Sequence, residues 1–175
     1  SSTCALPILQ LPTASAKRIV YKQLKTGGSP MVINGQHVYP SAIDGIGYAL
    51  SFQCAGGPMR AIDGSHSAGG ESVVVCDSAT LPALMTQQQT TVRIAVTFYK
   101  TGTVQLADGT HTNSPPLPQV GEMTIEQQTS ASASFVASAP VSIDIAALNV
   151  DIGSSGSCQV ATSTIQVSLG TVNRG

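Results

Sequence analysis

The chain has 175 residues, enough for one domain or one domain plus a fragment of a second, and long enough to bury a core without help from metals or dense cross-links. Hydrophobic residues make up 42%, near the globular norm, but charged residues only 10% against a usual quarter, and the net charge is −1. With 4% aromatic residues, no Trp and no basic stripe, both ingredients of nucleic-acid binding are missing, and no apolar run is long enough for a membrane-spanning helix.

The N-terminus has no positively charged leader region, and Pro7 and Pro12 interrupt its apolar stretch, so any signal peptide is expected to have been removed. Arg18–Leu24 alternates, with Ile19 and Tyr21 on one face and Val20 and Lys22 on the other. Met31–Val38 carries an Asn34-Gly35 step, a strong hairpin signal because both residues tolerate positive φ. Ile46–Gln53 reads as a half-buried strand ending at Cys54, and Ser72–Cys76 as a short apolar strand. Ala79–Gln89 is the best helical candidate, kept short by Pro82. Thr90–Tyr99 is the clearest strand, placing Val92, Ile94, Val96 and Phe98 on one face. Thr112–Val120, with its three prolines, is expected to be an exposed, extended loop. Val120–Glu126, Ala133–Ala137, Val141–Ile145, Leu148–Ile152 and Thr164–Leu169 complete the predicted strands. Many short strands separated by Gly-rich turns predict an all-β fold, an immunoglobulin-like or jelly-roll-like β-sandwich.

The cysteines stand at 4, 54, 76 and 158, with no C-x-x-C pair and no zinc-module spacing. Cys54–Cys76 is the favoured disulfide, closing a loop of about two dozen residues worth roughly 3 kcal/mol. Buried free thiols are the alternative, and Cys4 and Cys158 either pair with each other or lack partners.

Cys158-Gln159-Val160 followed by Ile165-Gln166-Val167-Ser168-Leu169-Gly170-Thr171-Val172 resembles the first strand of a bacterial chaperone–usher pilin domain. Gly45-Ile46-Gly47-Tyr48 and Tyr99-Lys100-Thr101-Gly102 resemble strands of pilus tip adhesins. The resemblance implies that residues 1–153 form a receptor-binding adhesin domain, and that 154–175 are a linker and the first strand of a truncated pilin domain. That stub would be either disordered or paired with another sheet edge. It further implies an extracellular protein of the fimbrial tip, exported through the periplasm and binding a surface glycan or protein receptor. A periplasmic chaperone, an usher and the next pilus subunit would be met through the missing pilin domain. The chain as given is expected to be monomeric, with no nucleic-acid or membrane partner. The rival is a structural pilus adaptor with no receptor of its own.

The candidate ligand-binding residues are Asp63, His66, Asp108, His111, Asn113 and Tyr39. The first five lie on Gly-flanked loops whose short polar groups can bond sugar hydroxyls, although such groups also stabilise turns by capping their own backbone. Tyr39 and Tyr21 are expected to be exposed aromatics, and Phe52, Phe98 and Phe135 to lie in a core. No cofactor is expected, with one exception. His66 and His111, each following an Asp-Gly turn, are the pair best placed to hold a zinc ion with His37, the alternative being solvated loop histidines. Lys17, Arg18, Lys22 and Lys25 form the one basic cluster, read as solvated side chains on an outer face. No catalytic residue is assigned: there is no G-x-S-x-G elbow, and Ser65-His66 adjacency does not make a triad. Glu71, Glu122 and Glu126 are the only carboxylates considered for a hydrolytic pair.

Overall fold

In the computed structural model, residues 5–7, 15–87, 89–104, 111–112, 116–146, 152–153 and 162–167 are described. They form β1 (Ala5–Pro7), β2 (Ala16–Gln23), β3 (Met31–Ile33), β4 (Gln36–Pro40), β5 (Ile46–Cys54), β6 (Met59–Ala61) and β7 (Ser72–Asp77). After a 3-10 turn at Pro82–Met85 come β8 (Gln89–Lys100), β9 (His111–Thr112), β10 (Leu117–Gln128), β11 (Val136–Ala137), β12 (Val141–Ile145), β13 (Ile152–Gly153) and β14 (Thr162–Val167).

Two antiparallel sheets pack face to face as a β-sandwich. Sheet I runs β1–β8–β5–β4–β3, with β6 following β4 along the outer edge of β5. Sheet II runs β11–β10–β2–β7, with β12 also on β10, and β9 pairs β13 in a separate ribbon. Period-two alternation decides which side chains meet between the sheets. Ile46, Tyr48, Leu50 and Phe52 of β5 and Val92, Ile94, Val96 and Phe98 of β8 face Ile19 and Tyr21 of β2, Val73 and Val75 of β7, and Met123 and Ile125 of β10. Cys54 and Cys76 close the core as a disulfide between β5 and β7, one from each sheet, with Cα atoms 6.1 Å apart. The Asn34-Gly35 step makes the β3–β4 hairpin, with φ of 51° and 76°.

Several expectations need correction. Tyr21 and Tyr39 are both fully buried, because each falls on the inward phase of its strand. Phe135 is only half-buried and lies under the Arg18 guanidinium, 3.9 Å from ring centroid to Cζ. Lys17 is not solvated: it is 2% exposed, and its ammonium reaches the Met85 carbonyl at 3.4 Å. Leu117 and Val120 belong to β10 and to the core rather than to an exposed loop. Ala133–Ala137 contributes only the two residues of β11, because a turn closed by Ala133 N–H to the Ser130 carbonyl occupies its first part. The helical candidate is reduced to the 3-10 turn, anchored by buried Leu84.

Thr162–Val167 lies on the β8 edge opposite β5, pairing Ile165 with Ile94 and Val167 with Val92, and β1 continues along the same edge. The strand expected to open a second domain thus pairs with an edge of sheet I, one of the two outcomes expected for it, and residues 154–161, which lead into it, lie outside the described residues. Cys4 and Cys158 lie outside the described residues.

Candidate binding groove

Between β6 and β7 the chain makes a loop that is held by its own polar groups. The Asp63 carboxylate accepts from the Ser65 backbone N–H at 2.8 Å and from the Ser65 hydroxyl at 2.5 Å. The hydroxyl bond is the main reason its pKa lies below the ordinary carboxylate value. His66 adopts the left-handed region at φ 50°, and its carbonyl accepts from Val74 N–H at 2.6 Å, fastening the loop beside β7. Gly69 and Gly70, at φ 105° and 61°, supply the turn back into the strand. There the Ser72 hydroxyl donates to the Gly69 carbonyl at 2.7 Å and accepts from Ala68 N–H at 3.0 Å. A loop tied down in this way loses little entropy when a ligand binds.

Ala68, Gly69 and Ser72 form one wall of a shallow groove of about 210 Å3 over the outer face of sheet II. Val20 and Lys22 of β2 and Glu122, Thr124 and Glu126 of β10 supply the remainder. Lys22 stands opposite Glu122 in the β2–β10 register, and Glu126 forms an ion pair with Arg18. The groove thus offers two carboxylate acceptors, an ammonium donor, the hydroxyls of Ser72 and Thr124 and the apolar Val20 and Ala68, with Arg18 beside it balancing the second carboxylate. It is smaller than the roughly 300–1,000 Å3 of drug-sized pockets, so it suits a single small polar unit.

Of the expected site residues, the structure brings Asp63 and His66 together on the groove-walling loop, although neither side chain lines the groove. Ser65 Oγ lies 3.2 Å from His66 Nδ1, and the order Asp63–Ser65–His66 puts the hydroxyl between carboxylate and imidazole. That is not a triad, in which the imidazole occupies the middle. The backbone of His111 pairs with Gly153, while its side chain, Asp108 and Asn113 lie outside the described residues. Among the described residues, no group of three or more His, Cys, Asp or Glu side chains is placed to hold a metal ion.

Tyr39 sits in a different cluster. Its hydroxyl donates to Glu71 Oε2 at 2.6 Å, and His37 Nδ1 approaches the same oxygen at 2.7 Å. Burial pushes the Glu71 carboxyl up, but the bonds from Tyr39 and His37 outweigh it, leaving the pKa below 4.5. Beside this cluster, Tyr21 donates to the Gln23 amide oxygen at 2.6 Å, and the Gln23 amide nitrogen donates to Tyr48 at 2.9 Å. Burial raises the Tyr48 pKa to about 12. The signal for His37 and Tyr39 was present in the sequence, two residues apart on one strand and so on one face. Glu71, their partner, follows two glycines and carries no periodicity of its own.

No protein-family model matches the chain, and no curated protein matches it. Fold and groove together define a disulfide-bridged β-sandwich with a pre-ordered polar surface groove.

Proposed function

We propose that this chain is the receptor-binding part of a fimbrial tip adhesin, exported through an oxidising compartment and attaching to a surface receptor at the loop-walled groove. One observation carries the reading. The two adhesin-like motifs, far apart in sequence, are adjacent in space: Ile46 pairs with Lys100, Gly47 with Tyr99 and Tyr48 with Phe98. Thr101 N–H then donates to the Gly45 carbonyl at 2.8 Å. Gly45 is required there, since its φ is 84° and an added Cβ would come within 2.5 Å of the Thr103 carbonyl oxygen. Motifs that build one paired corner are a stronger resemblance than the same letters scattered over a surface. The Cys54–Cys76 bridge agrees with an exported module. No catalytic step and no metal enters the proposal.

The test is binding of the isolated chain to an array of surface glycans and host matrix proteins, with and without chelator. A ligand bound equally well in both conditions, and lost with Thr124→Val and Glu122→Gln, supports adhesion at the groove. A blank array with a folded protein removes it.

A structural pilus subunit is the second reading, favoured by the pairing of β14 with β8. Deleting residues 154–175 separates the two. A self-contained receptor domain keeps its cooperative unfolding and its ligand, whereas a structural subunit completed by β14 binds no receptor and loses its cooperative unfolding.

A further inference from the structure

The two sheets differ in charge. No strand of sheet I contains Asp or Glu, whereas the strands of sheet II carry Asp77, Glu122, Glu126 and Asp144. On the sheet I face turned away from the core, register sets Gly47, Ala49, Ser51 and Gln53 of β5 beside Tyr99, Thr97, Ala95 and Arg93 of β8. The centre of this face carries small residues covered by their neighbours: Ala49 and Ala95 are buried, and a Cβ on Gly47 would come within 2.6 Å of Val38 Cγ1. Around it stand half-exposed polar groups. Tyr99 donates to the Gln36 amide oxygen at 3.5 Å, and the Gln36 amide nitrogen donates to Ser51 Oγ at 3.4 Å, a polar strap across three strands. Arg93 is exposed and, among the described residues, forms no ion pair.

We infer that this face is a second binding surface, distinct from the groove, for an acidic polysaccharide of sparse charge such as one bearing a uronate on alternate sugars. Arg93 and Tyr99 lie six residues apart on one strand, about 20 Å, which is the reach of an extended polymer and not of one sugar. A guanidinium binds a carboxylate through two parallel hydrogen bonds, and a tyrosine ring gives an apolar face to a sugar ring. Between them Gln53, Ser51 and Thr97 offer hydroxyl and amide partners with no charge, which matches a chain of many hydroxyls and few carboxylates. Nucleic acid, with one charge per roughly 1.7 Å of duplex, would need far more cations than one arginine. An acidic peptide would seek backbone partners at a strand edge, and a sheet face offers none.

Backbone amide shifts are followed while the full chain is titrated with a hexasaccharide alternating glucuronate and N-acetylglucosamine, and separately with the neutral N-acetylglucosamine hexamer. The acidic hexamer is expected to move the amides of Ser51, Gln53, Arg93 and Thr97. Its affinity should fall on the order of tenfold in Arg93→Gln and severalfold in Tyr99→Ala, with the rest of the amide spectrum unchanged. The inference is overturned if the neutral hexamer binds as tightly, if Arg93→Gln has no effect, or if shifts fall in the groove or nowhere. A glutamate hexapeptide competing with equal affinity at the same amides overturns the polysaccharide assignment. A failure here leaves the adhesin proposal standing, because that is read at the groove.

Discussion

Tyr39 donates a 2.6 Å hydrogen bond to Oε2 of Glu71, joining two residues that lie 32 positions apart. Tyr39 is fully buried, so the phenol carries its hydroxyl to the carboxylate from the core side. Tyr39→Phe removes a hydrogen bond to a charged acceptor without opening a cavity, and should cost about 1.5 kcal/mol. Urea unfolding at neutral pH measures it, and an unchanged midpoint would mean that the bond contributes nothing. Ligand affinity at the groove should be unaffected, since Tyr39 does not line it.

Acid should weaken the fold. Glu71 and Asp77 both have pKa values below their ordinary 4.5 and 3.8. At Asp77 burial pushes upward but is outweighed by Thr80 N–H and by the Arg60 guanidinium at 3.1 Å. The unfolded chain therefore binds more protons than the folded one as pH falls from about 5, and stability declines with it. It is fully present above the ordinary carboxylate values and is lost through the depressed folded ones. Glu71→Gln should flatten this decline in a series of urea midpoints. An identical slope in the variant would remove Glu71 from the explanation.

The Cys54–Cys76 bridge spans 22 positions and ties β5 to β7. Replacing both cysteines with alanine should cost about 3 kcal/mol through the freed entropy of the unfolded chain. Both side chains lie within the core, so the loss should show equally as a lower denaturant midpoint and a lower Tm. Reductant added to the wild-type chain should reproduce the shift. A midpoint insensitive to reductant would contradict the bridge.

Gly121 pairs with Gln23 where β10 passes β2, and an added Cβ would stand 2.2 Å from the Tyr21 hydroxyl and 2.5 Å from the Lys22 carbonyl oxygen. Backbone cannot yield as a flexible side chain would. Gly121→Ala should destabilise by about 2–3 kcal/mol through this overlap and through disturbance of the Tyr21–Gln23 bond. A stability within 0.5 kcal/mol of wild type, about the size of an ordinary surface change, would show that the strands separate freely there.

The groove was only partly legible beforehand. Asp63 and His66 were recognisable as loop residues because Gly64 and the paired glycines 69 and 70 punctuate the chain around them. Their relation to Val20, Lys22 and Thr124 was not, since β2 and β10 are brought beside that loop only by sheet pairing. Arg18 shows the same limit. Its charge suggested a solvated strand face, but Glu126 and Phe135, both distant in sequence, enclose it.

What the amino-acid order determined by itself was local. Alternation of β-branched residues set Val92, Ile94, Val96 and Phe98 on one face, and the Asn34-Gly35 step set the hairpin, because φ preference and side-chain period are properties of neighbours. Tertiary structure decided which face points inward and which distant groups meet there. Tyr21, Tyr39 and Lys17 are buried because partners such as Gln23, Glu71 and the Met85 carbonyl wait for their polar ends. A polar side chain is stable in a core only when such a partner arrives, and that depends on the packing of both sheets.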